Sequence, residues 1–91
     1  MTFKVALIGY GYWGPKLARN IQNSNHFQID FIVDNSKSNL KKAKKDYPLS
    51  TLCTNYKKID RSTIDLAVIS TPTKSHYQIA NHFLKNTNVL I

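Results

Sequence analysis

The stretch GYGYWGPK, Gly9 to Lys16, carries every glycine of a chain of 91 residues. Glycine makes up about 7% of an average protein, so roughly six would be expected, spread over turns. Its backbone loses more freedom on folding than that of any other residue. Three glycines confined to one stretch, and none elsewhere, mark a place where side chains are forbidden. Their spacing is G-x-G-x-x-G. Before them runs FKVALI, Phe3 to Ile8, apolar enough for a strand covered on both faces. After them Leu17, Ala18 and Ile21 recur at helical spacing, and Pro15 falls in the first turn, where a missing N–H costs nothing. Strand, glycine turn and helix, in that order, decide the fold class.

In such a turn the first glycine, Gly9, makes the tight bend, Gly11 lets a pyrophosphate approach the backbone, and Gly14 lets helix and strand pack closely. The helix N-terminus adds free N–H groups and the positive end of the helix dipole. A dinucleotide turn is followed about twenty residues later by an acid. Asp34 stands at that distance, closing the second apolar run FQIDFIVD, with Asn35 beside it. A carboxylate there accepts hydrogen bonds from both hydroxyls of an adenosine ribose and repels a 2′-phosphate. The same side chain can instead cap the turn Asp34-Asn35-Ser36. Lys37 with Ser36 can hold a 2′-phosphate, so NAD is the expected cofactor and NADP stays open. Tyr12 and Trp13 follow the second glycine, and their N–H groups can bind phosphate whatever their rings do. The rings, with that of Tyr10, read as packing over the helix start or against another domain.

The rest of the chain keeps the same rhythm. Ser38 to Tyr47 places Leu40, Ala43 and Tyr47 on one helix face and lysines on the other, and Pro48 stops it. Leu49 to Thr54 reads as a weak third strand and Tyr56 to Ser62 as a short irregular crossover. IDLAVIS, Ile64 to Ser70, is a strong apolar strand that runs into Thr71-Pro72-Thr73. A helix is expected from Ser75, which has the capping-box spacing to Gln78, with Ile79, Ala80, Phe83 and Leu84 as its buried stripe. Val89-Leu90-Ile91 begins another strand. Alternating strands and helices imply one α/β domain over residues 1–91, built on a parallel sheet.

Composition excludes several classes. No apolar run approaches the 18 or so residues of a membrane span, and MTFKVALIG is too short and strand-like for a signal peptide. Cys53 is the single cysteine, so no internal disulfide or cysteine-based metal site is expected, and the default compartment is the cytoplasm. The net charge of +8 permits nucleic-acid binding. Its excess is mostly lysine, densest at Lys41, Lys42, Lys44 and Lys45, with few aromatics or arginines between them. That pattern reads as a solvated helix face, and no specific nucleic-acid or membrane partner is expected. His26 and His82 read as surface residues.

KVALIGYGYWGPKLARN (Lys4 to Asn20), the acid at Asp34, and VISTPTKSHYQIANHFL (Val68 to Leu84) together resemble the glucose–fructose oxidoreductase / inositol dehydrogenase (Gfo/Idh/MocA) family. The loop is most similar to members reading G-Y-W-G, a group that includes dehydrogenases of nucleotide-linked sugars; Lys16 stands where that group has asparagine. The resemblance implies a doubly wound parallel sheet, the Rossmann fold, binding a nicotinamide dinucleotide for hydride transfer at a sugar-type alcohol. It implies that Ser70, Thr71, Pro72 and His76, after the fourth strand, approach the dinucleotide near its nicotinamide half; for His76 a plain place in the first helix turn is the alternative. In the family the fifth strand continues into a Glu-Lys-Pro motif, whose lysine supports catalysis, and then into a substrate domain. These 91 residues end before that motif, so they are expected to bind cofactor without turnover and to hold no catalytic residue. A sugar-type substrate and a homo-oligomer are implied only for a full-length parent. The competing expectations are a non-catalytic dinucleotide-sensing module and an S-adenosylmethionine-binding methyltransferase domain.

Overall fold

The computed structural model describes residues 2–84 and 87–91. Five parallel strands, β1 (Phe3–Ile8), β2 (Phe27–Val33), β3 (Thr51–Cys53), β4 (Leu66–Ile69) and β5 (Asn88–Leu90), form one sheet in the order β3-β2-β1-β4-β5. Three helices cross over between them: α1 (Gly14–Gln22), α2 (Lys37–Asp46) and α3 (Thr73–Phe83). Two single-turn 3-10 helices, Tyr56–Lys58 and Arg61–Thr63, fill the crossover between β3 and β4 and are capped by the Asn55 and Asp60 side chains. The chain leaves β1 in one direction to build β2 and β3, then returns to β1's other edge to build β4 and β5. This reversal opens a crevice beyond the C-terminal ends of β1 and β4, where open α/β sheets take their ligands. The expected doubly wound Rossmann sheet is present.

Each sheet face has its own core. Val5, Leu7, Ile29, Ile32 and Val68 point to one side and pack with Tyr10, Ala18 and Ala43, beneath α1 and α2. Ala6, Ile8, Val33, Ala67 and Ile69 point to the other and pack with Ile59, Ile64, Ile79, Ala80 and Phe83, beneath α3 and the 3-10 crossover. Alternation along a fully covered strand produces this division. In β2 the alternation slips once. Val5 pairs with Ile29 but Ala6 pairs with Phe31, so Asp30 is an extra residue, a β-bulge. Beyond it, Phe31 and Val33 face the α3 side and Ile32 the α1/α2 side. Without the slip, Asp34 at the strand's end would point to the α3 side.

Several local boundaries differ from those read off the sequence. The third strand is only Thr51–Cys53; Leu49 is 99% exposed, because the chain first turns through Tyr47–Ser50, held by Ser50 N–H donating to the Tyr47 carbonyl. Ser36, not Ser38, starts α2, its side chain accepting from Asn39 N–H at 3.3 Å. Helix α3 begins at Thr73, with Pro72 in the cap position and no side-chain cap, so the expected capping box at Ser75 does not form. Ser75 lies inside the first turn, and its hydroxyl donates back to the Pro72 carbonyl and the Thr71 hydroxyl, both at 2.9 Å. Ile79, Ala80 and Phe83 form the buried stripe, but Leu84 is 62% exposed. Ala80 already marks the stripe's edge, and Leu84, one turn further on, lies past it as the C-cap. His82 is not a plain surface residue either. Its ring packs edge-on to Tyr56 and Phe83, and its buried Nε2 has no hydrogen-bond partner among the described residues. Burial holds its pKa below the usual histidine value.

Tyr10 belongs to the core rather than the loop surface. It is 1% exposed, sits edge-on to Tyr47 at 6.5 Å, and its hydroxyl donates to Asp46 at 2.6 Å, tying the glycine turn to the end of α2. Burial first, then the bond to the Asp46 carboxylate and its charge, raise the phenol's pKa above the usual tyrosine value. The folded state therefore keeps this proton when the unfolded chain has released it, so its contribution is complete below pH ~10 and falls as pH rises further. Tyr10→Phe is expected to lower stability by about 1–2 kcal/mol at neutral pH and to flatten the decline above pH ~10. Urea titrations at neutral and alkaline pH measure both.

Candidate functional site

The crevice at the sheet's C-terminal edge holds a cavity of about 540 Å³. From the glycine turn it is lined by Gly9, Gly11, Tyr12 and Trp13, and from the end of β2 by Asp34, Asn35 and Ser36. From the end of β4 it is lined by Ser70, Thr71 and Pro72. Nine of the eleven residues expected to touch a dinucleotide meet here; Gly14 and His76 do not line the space.

The three glycines prove to be glycine for different reasons. Gly9 has φ +104°, a conformation that side-chain-bearing residues rarely adopt, and a Cβ there would lie 3.0 Å from backbone atoms of Ser70 and Thr71. Gly14 would drive a Cβ into the Gly9 carbonyl, closer than real Cβ atoms come. This is the contact by which α1 seats against the turn. Gly11 has neither reason: its φ is not positive, and a Cβ built on it meets nothing within 4 Å. It opens onto the cavity. Protein packing does not require glycine at this position, whereas a phosphate lying against the backbone does.

Helix α1 starts at the same point with Trp13 at the cap, no side-chain cap bond and no acid in the first turn. Its leading amides are left for an anion. Tyr12 and Trp13 are 74% and 60% exposed, stacked edge to face at 5.0 Å, and Lys16 Nζ sits 4.3 and 4.7 Å from their ring centroids. The rings form a rim on the cavity beside Lys16 in the first turn of α1.

Asp34 is engaged from three sides. Its Oδ2 accepts from Tyr10 N–H at 2.8 Å and from Asn39 Nδ2 at 3.1 Å; its Oδ1 accepts from Ser36 N–H at 2.8 Å. It does close the turn through Asn35, and it lines the cavity as well. On the opposite wall Ser70 acts inward: its hydroxyl donates to the Gly9 carbonyl at 2.7 Å, and its N–H donates to Ile8 O at 2.8 Å. His76 does not line the cavity. Its Nε2 meets the Thr71 carbonyl at 2.5 Å, and since a carbonyl only accepts, that nitrogen carries the hydrogen. His76 braces the Thr71-Pro72 turn. Sequence reasoning gave Ser36 only a place beside a 2′-phosphate and missed Tyr10's amide, Asn39 and Ser75 as parts of the cavity wall and of the bonds that hold Asp34. The S-x-x-N spacing from Ser36 to Asn39 was the available signal, since it puts Asn39 in the first turn of a helix that starts beside Asp34.

Among the described residues no three His, Cys, Asp or Glu side chains gather where a metal could sit, and no helix is long and apolar enough to cross a membrane. The exposed cleft combines bare main chain, an uncapped helix start and a carboxylate bonded to the turn, features that suit a dinucleotide.

Solved structures share this architecture. The scyllo-inositol dehydrogenase of Lactobacillus casei, solved with NAD(H) and scyllo-inositol bound, is 23% identical with a TM-score of 0.88 over 98% of this chain and 27% of its own. The myo-inositol 2-dehydrogenase of Lactobacillus plantarum is 25% identical with a TM-score of 0.86 over 98% of this chain and 27% of its own. A Bacteroides fragilis protein reaches 31% identity and a TM-score of 0.87 over 98% of this chain and 28% of its own. The chain thus spans little more than a quarter of each of these proteins. No curated protein sequence matches it. Residues 3–91 match the family model GFO_IDH_MocA, an oxidoreductase family with an NAD-binding Rossmann fold, and with the glycine turn, the acid and the sheet order all in place, the chain belongs to that family.

Proposed function

We propose that this chain binds a nicotinamide dinucleotide, NAD in preference to NADP, as the cofactor-binding part of a dehydrogenase that acts on a sugar-type or cyclic polyol alcohol. The observation that carries the reading is Gly11: a glycine without packing or conformational need, facing a cavity at an uncapped helix start. The pyrophosphate would lie against Gly11 and the amides of Tyr12 and Trp13, where the helix dipole favours negative charge. Asp34, held by three N–H donors, would receive the adenosine ribose and oppose a 2′-phosphate by charge. Thr71 and Pro72, braced by His76, would flank the nicotinamide half. The bound nicotinamide supplies the hydride chemistry; the chain supplies position and field. The inositol dehydrogenases among its structural neighbours support a polyol alcohol as the substrate of a complete enzyme.

Trp13 is the only tryptophan and stands on the cavity rim, so its fluorescence reports binding directly. Titrations with NADH, NADPH and S-adenosylmethionine test the reading together. NADH is expected to quench Trp13 at saturation and to bind at least about tenfold more tightly than NADPH, a difference of about 1.4 kcal/mol. Tighter binding of S-adenosylmethionine, or no response to either nicotinamide nucleotide, defeats it.

A further inference from the structure

We propose that Asn39 is a specificity-determining residue of the ribose subsite, its amide N–H holding the Asp34 carboxylate while its carbonyl supplies the second acceptor for the vicinal diol of an unphosphorylated adenosine ribose. This rests on the dinucleotide reading above and extends it to a residue outside the glycine turn and the acid.

An ionised carboxylate offers about four acceptor positions. In Asp34 both of those on Oδ2 are taken, by Tyr10 N–H and Asn39 Nδ2, and one on Oδ1 is taken by Ser36 N–H. About one position remains, on Oδ1. A ribose diol brings two donors, so the carboxylate alone does not satisfy it. Asn39 lines the same cavity. A carboxylate cannot donate, so the Asn39 nitrogen, not its oxygen, must face Asp34, and this fixes which way round the amide lies. Its carbonyl accepts no hydrogen bond among the described residues and stays available. The residue is pinned in the first turn of α2, its backbone N–H donating to Ser36 Oγ at 3.3 Å. Asp34 and Asn39 together therefore present two acceptors from two adjoining groups. A diol fills both, whereas a 2′-phosphate, which has only acceptors to offer, meets a negative charge and a carbonyl dipole. The clamp discriminates against phosphate twice.

The test pairs a protein change with a ligand change. The chain and its Asn39→Ala variant are titrated with NADH, with NADPH, and with an NADH analogue whose adenosine ribose is 2′,3′-dideoxy, and each protein is melted. Asn39→Ala is expected to weaken NADH about tenfold, to leave the dideoxy analogue within about twofold of the unaltered chain, and so to shrink the preference for NADH over NADPH. Equal weakening of NADH and the dideoxy analogue makes Asn39 a structural residue and overturns the proposal, as does unchanged NADH affinity. If the unaltered chain binds none of the three ligands, the dinucleotide reading itself fails and takes this inference with it. The two failures are therefore distinguishable.

Discussion

Gly14→Ala is expected to cost about 3 kcal/mol of stability, lowering the melting temperature by about 15 °C. The added Cβ collides with the carbonyl of Gly9, which is backbone and cannot rotate away. Gly9 in turn is fixed from both sides: its N–H donates to Val33 O at 2.7 Å, and its carbonyl accepts from Ser70 Oγ at 2.7 Å. Relief would require α1 to lift from the sheet, and that would expose Ala18, the α1 residue that packs fully buried against it. Thermal and urea denaturation of the variant measure the loss. A melting temperature within a few degrees of the unaltered chain would show that the helix seats differently.

Gly11→Asp, only three positions earlier, is expected to do the reverse. Its melting temperature should stay within about 2 °C, since an added Cβ meets no atom within 4 Å and φ is ordinary. NADH affinity should fall at least about hundredfold. The new carboxylate would occupy the space proposed above for the pyrophosphate and oppose its charge, and like charges about 4 Å apart at a protein surface repel by about 4 kcal/mol. Trp13 fluorescence titration reads the affinity, and the melt guards against misfolding. Normal NADH binding by the Gly11→Asp variant would remove the phosphate cradle from this loop.

The fold was legible because its signals are local. FKVALI, the glycine spacing and Pro15 each restrict backbone conformation within a few residues, and the apolar runs at Phe27 and Leu66 need only their own composition to read as covered strands. The glycine turn and the acid that line the cavity were legible for the same reason, since G-x-G-x-x-G and an acid at fixed distance are a local constraint and a length. Legibility ended where a residue's role depended on contacts distant in the chain. Ser75 has the spacing of a cap, but Pro72 starts the helix three residues earlier and turns its hydroxyl to Thr71 and Pro72. Tyr10 looked like a loop residue until Asp46 and Tyr47, at the far end of α2, enclosed it. His76 stands close in sequence to Thr71 and Pro72 of the cavity wall, yet it does not line the cavity and bonds the Thr71 carbonyl instead.

By itself the chain's order of residues determined a parallel α/β sheet, the position of its glycine turn and the identity of the acid that answers it, because backbone conformation and apolar periodicity are set by neighbours along the chain. Tertiary structure alone decided what the acid can do. The bulge at Asp30 turns Asp34 to the α1/α2 side of the sheet, where Tyr10 N–H and the Asn39 amide meet it. A one-residue slip in strand pairing reverses every later side chain, and pairing is a relation between segments far apart in sequence.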